Sequence, residues 1–328
     1  MKLMRKIIAL CLILSAIGAL SACGTVNETP QSGKLQIVAT LFPAYDFARE
    51  IAGERAEVTL LVPPGSESHS FEPTPHDLVR LSSCTLLVCN GGESEAWVET
   101  VRNGLDADIS SVTMLDCVNA LEEEVRVGMQ TGGVLSRGGH GHEHEEEADE
   151  HEIEYDEHVW TSPKNAMLIC RAIADKLCEL DPDGRAYYEA NCADYTAQLR
   201  ELNADFRAIV DGAEQRTVIF ADRFPVRYFV EEYGLEYYAA FLGCADDAEP
   251  SAKTVAFLID KVRSEQTKAV FYIEFSNEKM ADIICEETGC KKLLFHSCHN
   301  VTADELTSGV SYMELMQGNL ASLKEALG

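Results

Sequence analysis

The chain has 328 residues and a formal net charge of −28, from 27 Lys and Arg against 55 Asp and Glu. That balance excludes a nucleic-acid binder, whose partner's phosphates call for a basic face, and it suits a protein that gathers cations. The length is that of two domains behind a short leader.

The leader comes first. Lys2, Arg5 and Lys6 precede the apolar run IIALCLILSAIGAL, which is shorter than the about 18 residues of a membrane span and ends in small residues, as export signals do. Leu20-Ser21-Ala22-Cys23 has the pattern of a bacterial lipobox. Residues 1–22 are therefore read as a lipoprotein signal peptide, with lipid carried on Cys23. Residues 23–34 are polar and rich in turn formers, a tether. The protein is expected to be exported and held by Cys23 at the outer face of the bacterial cell membrane.

Residues 35–181 alternate strand and helix. LQIVATL, VTLLV, CTLLVCN and SVTMLDC read as strands. FPAYDFAREIAG, PHDLVRLS and SEAWVETVRNGL read as helices between them. This alternation predicts a parallel sheet with helices on both faces. A histidine- and acid-rich loop at about 137–157 follows. SPKNAMLICRAIADKLCEL is then a helix with Ser162 as N-cap and Pro163 at its first position.

DPDG at 181–184 punctuates the chain, and residues 182–213 carry a helix without a breaker, about 42 Å long at 1.5 Å per residue. Residues 214–328 restart the alternation through TVIFA, PVRYFVEEYGL, EYYAAF, TVAFLIDKVRSEQ, AVFYIEF, NEKMADIICEETG and KLLFHS, ending in one helix from about 303 to 326. The predicted fold is α/β: two parallel-sheet lobes joined by one long linking α-helix.

The ten cysteines after Cys23 read mostly as small buried hydrophobes with free thiols. Cys285, Cys290 and Cys298 are the candidates for bridging. No CxxC pair marks a cysteine-zinc site, and no dinucleotide or phosphate-loop glycine motif occurs.

Ligands of open α/β sheets bind beyond the carboxyl ends of the strands. The titratable residues at such places are His69, His158, Asp222, Glu274, His296 and His299. Both lobes contribute, so a site in the interlobe cleft is expected. Imidazoles with one or two carboxylates suit zinc first and manganese second.

LVPPGSESHSFEPTPHDLVRL and YDEHVWTSPKNA resemble the two ligand segments of the ZnuA-like solute-binding lipoproteins of zinc and manganese ABC importers, and the resemblance covers the whole mature chain. It implies that His69 and His158 are metal ligands, that the linking helix is rigid, and that a membrane permease receives the metal. Where zinc members carry a histidine after the first strand of the second lobe, this chain has Ala221, in FADRFPVRYF. The fourth ligand of the family falls near His296. The expected set is therefore His69, His158, His296 and Asp222, with Glu274 and His299 in reserve.

His140, His142, His144 and His151 stand among ten acids between Glu143 and Glu157, and the resemblance implies an auxiliary metal-gathering loop. The expectation is a monomeric receptor for Zn(II), not an enzyme. The rivals are a Mn(II) receptor of the same family, a surface adhesin, and a secreted metal-dependent hydrolase. The hydrolase would need an open coordination position beside a general base, and no HExxH is present.

Overall fold

Ile37-Val38-Ala39 and Leu86-Leu87-Val88-Cys89 are apolar and buried at successive positions, as strands covered on both faces are, and they lie side by side. The computed structural model describes residues 33–66, 71–104, 109–130, 154–244 and 250–328. Cys23, His69, His140, His142, His144 and His151 lie outside them. Strands β1 (Leu35–Ala39), β2 (Ala56–Leu60), β3 (Leu86–Cys89) and β4 (Ser111–Thr113) form a four-stranded sheet in the order β2-β1-β3-β4. All pairs are parallel, with Ile37 against Val58 on one side and Leu86 on the other.

Helices fill the crossovers. α1 (Phe42–Ala52) buries Phe47, Ala48 and Ile51 and is stopped by Gly53 at φ 50. α2 (Pro75–Ser83) opens with a capping box in which Thr74 and Asp77 satisfy each other's backbone N–H. α3 is Ala96–Gly104. Cys84 was read as part of a strand; it is instead the C-cap of α2, and pairing starts at Leu86. α4 (Pro163–Leu180) is capped by Ser162, whose hydroxyl accepts from Asn165 N.

α5 (Arg185–Gly212) is the long helix. Its start is fixed by Asp181, which accepts from the Tyr188 hydroxyl at 2.7 Å and from the Arg55 guanidinium at 2.7 Å. Tyr188, Cys192, Tyr195, Leu199, Leu202, Phe206 and Val210 are buried at the three-and-four spacing of one helix face. That face packs on α1 and α4 of the first lobe and on two helices of the second.

The second sheet repeats the first. β5 (Thr217–Phe220), β6 (Glu236–Ala239), β7 (Ala269–Tyr272) and β8 (Lys291–Leu294) pair in the order β6-β5-β7-β8, all parallel. α6 (Arg227–Tyr233), α7 (Ala252–Glu265) and α8 (Lys279–Thr288) join them. The expected single C-terminal helix is two, α9 (Ala303–Ser308) and α10 (Tyr312–Leu327). Gly309 at φ 80 ends the first, and Ser311 with Glu314 builds a fresh capping box for the second.

Two features bind the lobes together. One apolar core runs without a break from Ile37 and Phe47 through Ile169, Leu199 and Phe206 to Phe229, Tyr312 and Leu323. The segment after β4 also crosses over: Gln130 bridges Phe241 just beyond β6, and Leu121 N–H donates to the Tyr228 hydroxyl. No helix among the described residues is long and apolar enough to cross a membrane.

Candidate metal centre

His158 sits in a turn that the lobes hold jointly. Asp156 N–H donates to Leu121 O at 2.9 Å, and Asp156 O accepts from the Tyr228 hydroxyl of α6 at 2.8 Å. The Asp156 carboxylate then takes the His158 backbone N–H at 2.8 Å and lies 3.2 Å from ring Nδ1. A neutral ring so held carries its proton on Nδ1 and presents the Nε2 lone pair, the arrangement that orients metal-binding imidazoles. Both side chains are buried. Burial alone would lower the His158 pKa, but Asp156 first, then Glu157 and Glu123, outweigh it and hold it above the usual imidazole value.

The backing of the turn is equally specific. Asn90 Nδ2 donates to Glu157 O at 2.8 Å, and Ser94 donates its N–H and hydroxyl to the Glu157 carboxylate. The Asn90-Gly91-Gly92 turn is therefore a brace, not an anion loop. The Asn90 and Gly91 amides both donate to Glu95 Oε2. Gly243 lies on the far side of the ring, where a Cβ would approach His158 Cε1 to 3.1 Å.

The second lobe answers with His299. Its ring meets the edge of His158 at a centroid distance of 5.4 Å and lies 5.1 Å from Trp160. Trp160, fully buried, anchors this contact by donating its indole N–H to Ser297 O at 2.8 Å. The next residue reaches the third element. Asn300 Nδ2 donates to Pro63 O and Ser66 O, each at 2.9 Å, and Gly65 N–H donates to Val301 O at 2.8 Å. The PPGS segment that leads to His69 is thus pinned on the residues following His299.

The remaining candidates have hydrogen-bond partners of their own. His296 Nδ1 accepts from Cys298 N–H at 2.9 Å and stands 3.6 Å from Glu274. An Nδ1 used as acceptor puts the proton of a neutral ring on Nε2, which removes the lone pair a metal would use. Glu274 accepts from the N–H and hydroxyl of Ser297 and caps the turn. Asp222 accepts from the amides of Arg223 and Ile273, and burial raises its pKa although Ser276 and those amides oppose this. Ala221 is buried among Ile219, Ala240 and Phe241. No three His, Cys, Asp or Glu among the described residues stand in position to hold a metal.

The structure therefore brings His158 together with His299, the reserve candidate, and turns His296 toward Glu274. Between the two histidines Cys298 adopts φ 60, in the left-handed region. Trp160, two residues after His158, packs against the His299 ring, a contact that the spacing of the two histidines does not announce.

Comparison with known proteins follows the same lines. A family described as zinc-uptake complex component A, periplasmic, matches residues 37–326. The high-affinity zinc uptake system protein ZnuA of Bacillus subtilis is 29% identical over 326 residues, covering 98% of this chain and 96% of that protein. The zinc-binding lipoprotein AdcA of Streptococcus pneumoniae is 28% identical over 316 residues. That match takes in 96% of this chain but 60% of AdcA, so the chain spans well under two thirds of that relative. The crystal structure of the Zn(II)-bound ZnuA-like domain of the pneumococcal AdcA matches with a TM-score of 0.71 at 26% identity, over 90% of this chain and 99% of the domain.

Proposed function

The chain belongs to the zinc-uptake complex component A family, and from that premise we propose that it captures Zn(II) between its lobes and delivers it to an ABC permease in the membrane. Proteins of this family are solute-binding components rather than enzymes. The observation that carries the reading is the His158–His299 contact, with the His158 ring held by Asp156 and the segment before His69 pinned by Asn300. His69, His158 and His299 supply three imidazoles, and an oxygen donor, water included, fills the fourth position. Such a set favours zinc over manganese, which prefers oxygen ligands.

Capture needs little movement, because the continuous core ties both lobes to α5. Release follows docking on the permease, which strains the turns that bring His158 and His299 together. The loop with His140, His142, His144 and His151 gathers cations loosely near the cleft, and Cys23 carries the lipid that keeps the monomer at the membrane. Competitive titration of the purified protein against a chromophoric chelator tests the metal. Zinc is expected to be retained at free concentrations where manganese is lost; equal retention of manganese would overturn the zinc assignment.

A further inference from the structure

Helix α8 ends at Thr288, where Gly289 enters the left-handed region at φ 76 and donates its N–H to Cys285 O at 2.8 Å. This glycine turn closes many helices and folds the following residue back over the last turn, where an apolar pair usually makes the contact. Here both side chains are cysteines. The Cys285 and Cys290 sulfurs stand 3.5 Å apart, against the roughly 2.05 Å of a disulfide bond. Both residues are half-buried and open to a small oxidant, unlike Cys170 and Cys298, which are fully enclosed.

We propose that Cys285 and Cys290 close into an intramolecular disulfide once the chain meets an oxidising environment, by exchange with a small-molecule or protein disulfide. One thiolate attacks the external disulfide and displaces one thiolate of the oxidant, leaving a mixed disulfide. The second thiolate attacks the chain's own sulfur in it and displaces the other. The two thiol protons end on the released thiols, so the pair is oxidised by two electrons and the oxidant reduced by two. Burial, and then the Cys290 thiol beside it, push Cys285 up to about 12. Exchange is therefore slow near neutrality and quickens as the pH rises. The bridge pins the turn that feeds β8, whose far end leads into the turn of Ser297 and His299, and it withdraws a soft thiol pair from competition for the cargo metal. It relies on export only for where the oxidant is met; the chemistry stands apart from the metal assignment.

The test uses the reduced full chain, oxidised glutathione as probe at mildly alkaline pH, alkylation, and tryptic mapping. Both cysteines fall in one tryptic peptide, Met280–Lys291. That peptide is expected two hydrogens lighter than its dithiol form and resistant to alkylation until reduced. In Cys285→Ser, Cys290 should carry glutathione or the alkyl group instead. A wild-type peptide with both cysteines alkylated, or with two glutathione adducts, would overturn the proposal.

Discussion

At the scale of single residues, His158 was readable because an acid two positions before it and a tryptophan two after it make a recognisable segment. The two histidines of the second lobe stand three residues apart with Cys298 at φ 60 between them, and their spacing alone does not tell them apart. Asp156 has the clearest supporting role, since its carboxylate orients the ring and accepts the His158 amide. Asp156→Asn keeps an acceptor but loses the charge. Zinc affinity is expected to fall by about 10–100-fold, measured by chelator competition, with the circular dichroism melt little changed; unaltered affinity would remove Asp156 from the account. Glu95 gives a second test. Burial raises its pKa from 4.5 to about 7 against the pull of Thr40 and the Gly91 and Asn90 amides. Between those values the folded chain keeps a proton that the unfolded chain has lost, so stability falls as pH rises through that window. Glu95→Gln, which still accepts both amides, should flatten that fall and gain stability over wild type at pH 8 but not at pH 4. Parallel urea titrations with the same pH slope for both proteins would contradict this.

At the scale of elements, strand and helix order followed from composition: the central strands β1, β3, β5 and β7 carry short β-branched or apolar runs, and helical spacing fills the gaps between strands. The crossing of residues 118–130 to the second lobe was not legible, since it rests on single long-range bonds rather than on a repeating pattern. The Tyr228 hydroxyl is the pin of that crossing: it accepts from Leu121 N–H and donates to Asp156 O, two groups of the first lobe. Tyr228→Phe leaves the buried Asp156 carbonyl unpaired, at a cost of roughly 1–3 kcal/mol, and removes the acceptor of the half-buried Leu121 N–H. The unfolding midpoint should drop, and zinc should dissociate faster in stopped-flow release to a chelator. A lower midpoint with an unchanged off-rate would show that the pin serves the fold alone. The C-terminal break was missed for a related reason. Its residues keep helical character on both sides, and one glycine at φ 80 ends the first helix.

At the scale of the whole molecule, two sheets of equivalent strand order share a core that passes through α1, α4, α5 and α10 without interruption. Tyr312 adds interlobe ties, its N–H to Asp46 at 2.8 Å and its hydroxyl to Trp160 O at 2.7 Å. On the proposed function, a molecule bound together this way brings groups from both lobes together by its fold and closes on an ion by local adjustment alone. The measurement that tests this most directly is zinc affinity, by chelator competition, for His299→Ala and His296→Ala beside wild type. The expected result is loss of tight binding in His299→Ala, with His296→Ala within a few-fold of wild type. Tight binding that survives in His299→Ala and disappears in His296→Ala would contradict the account.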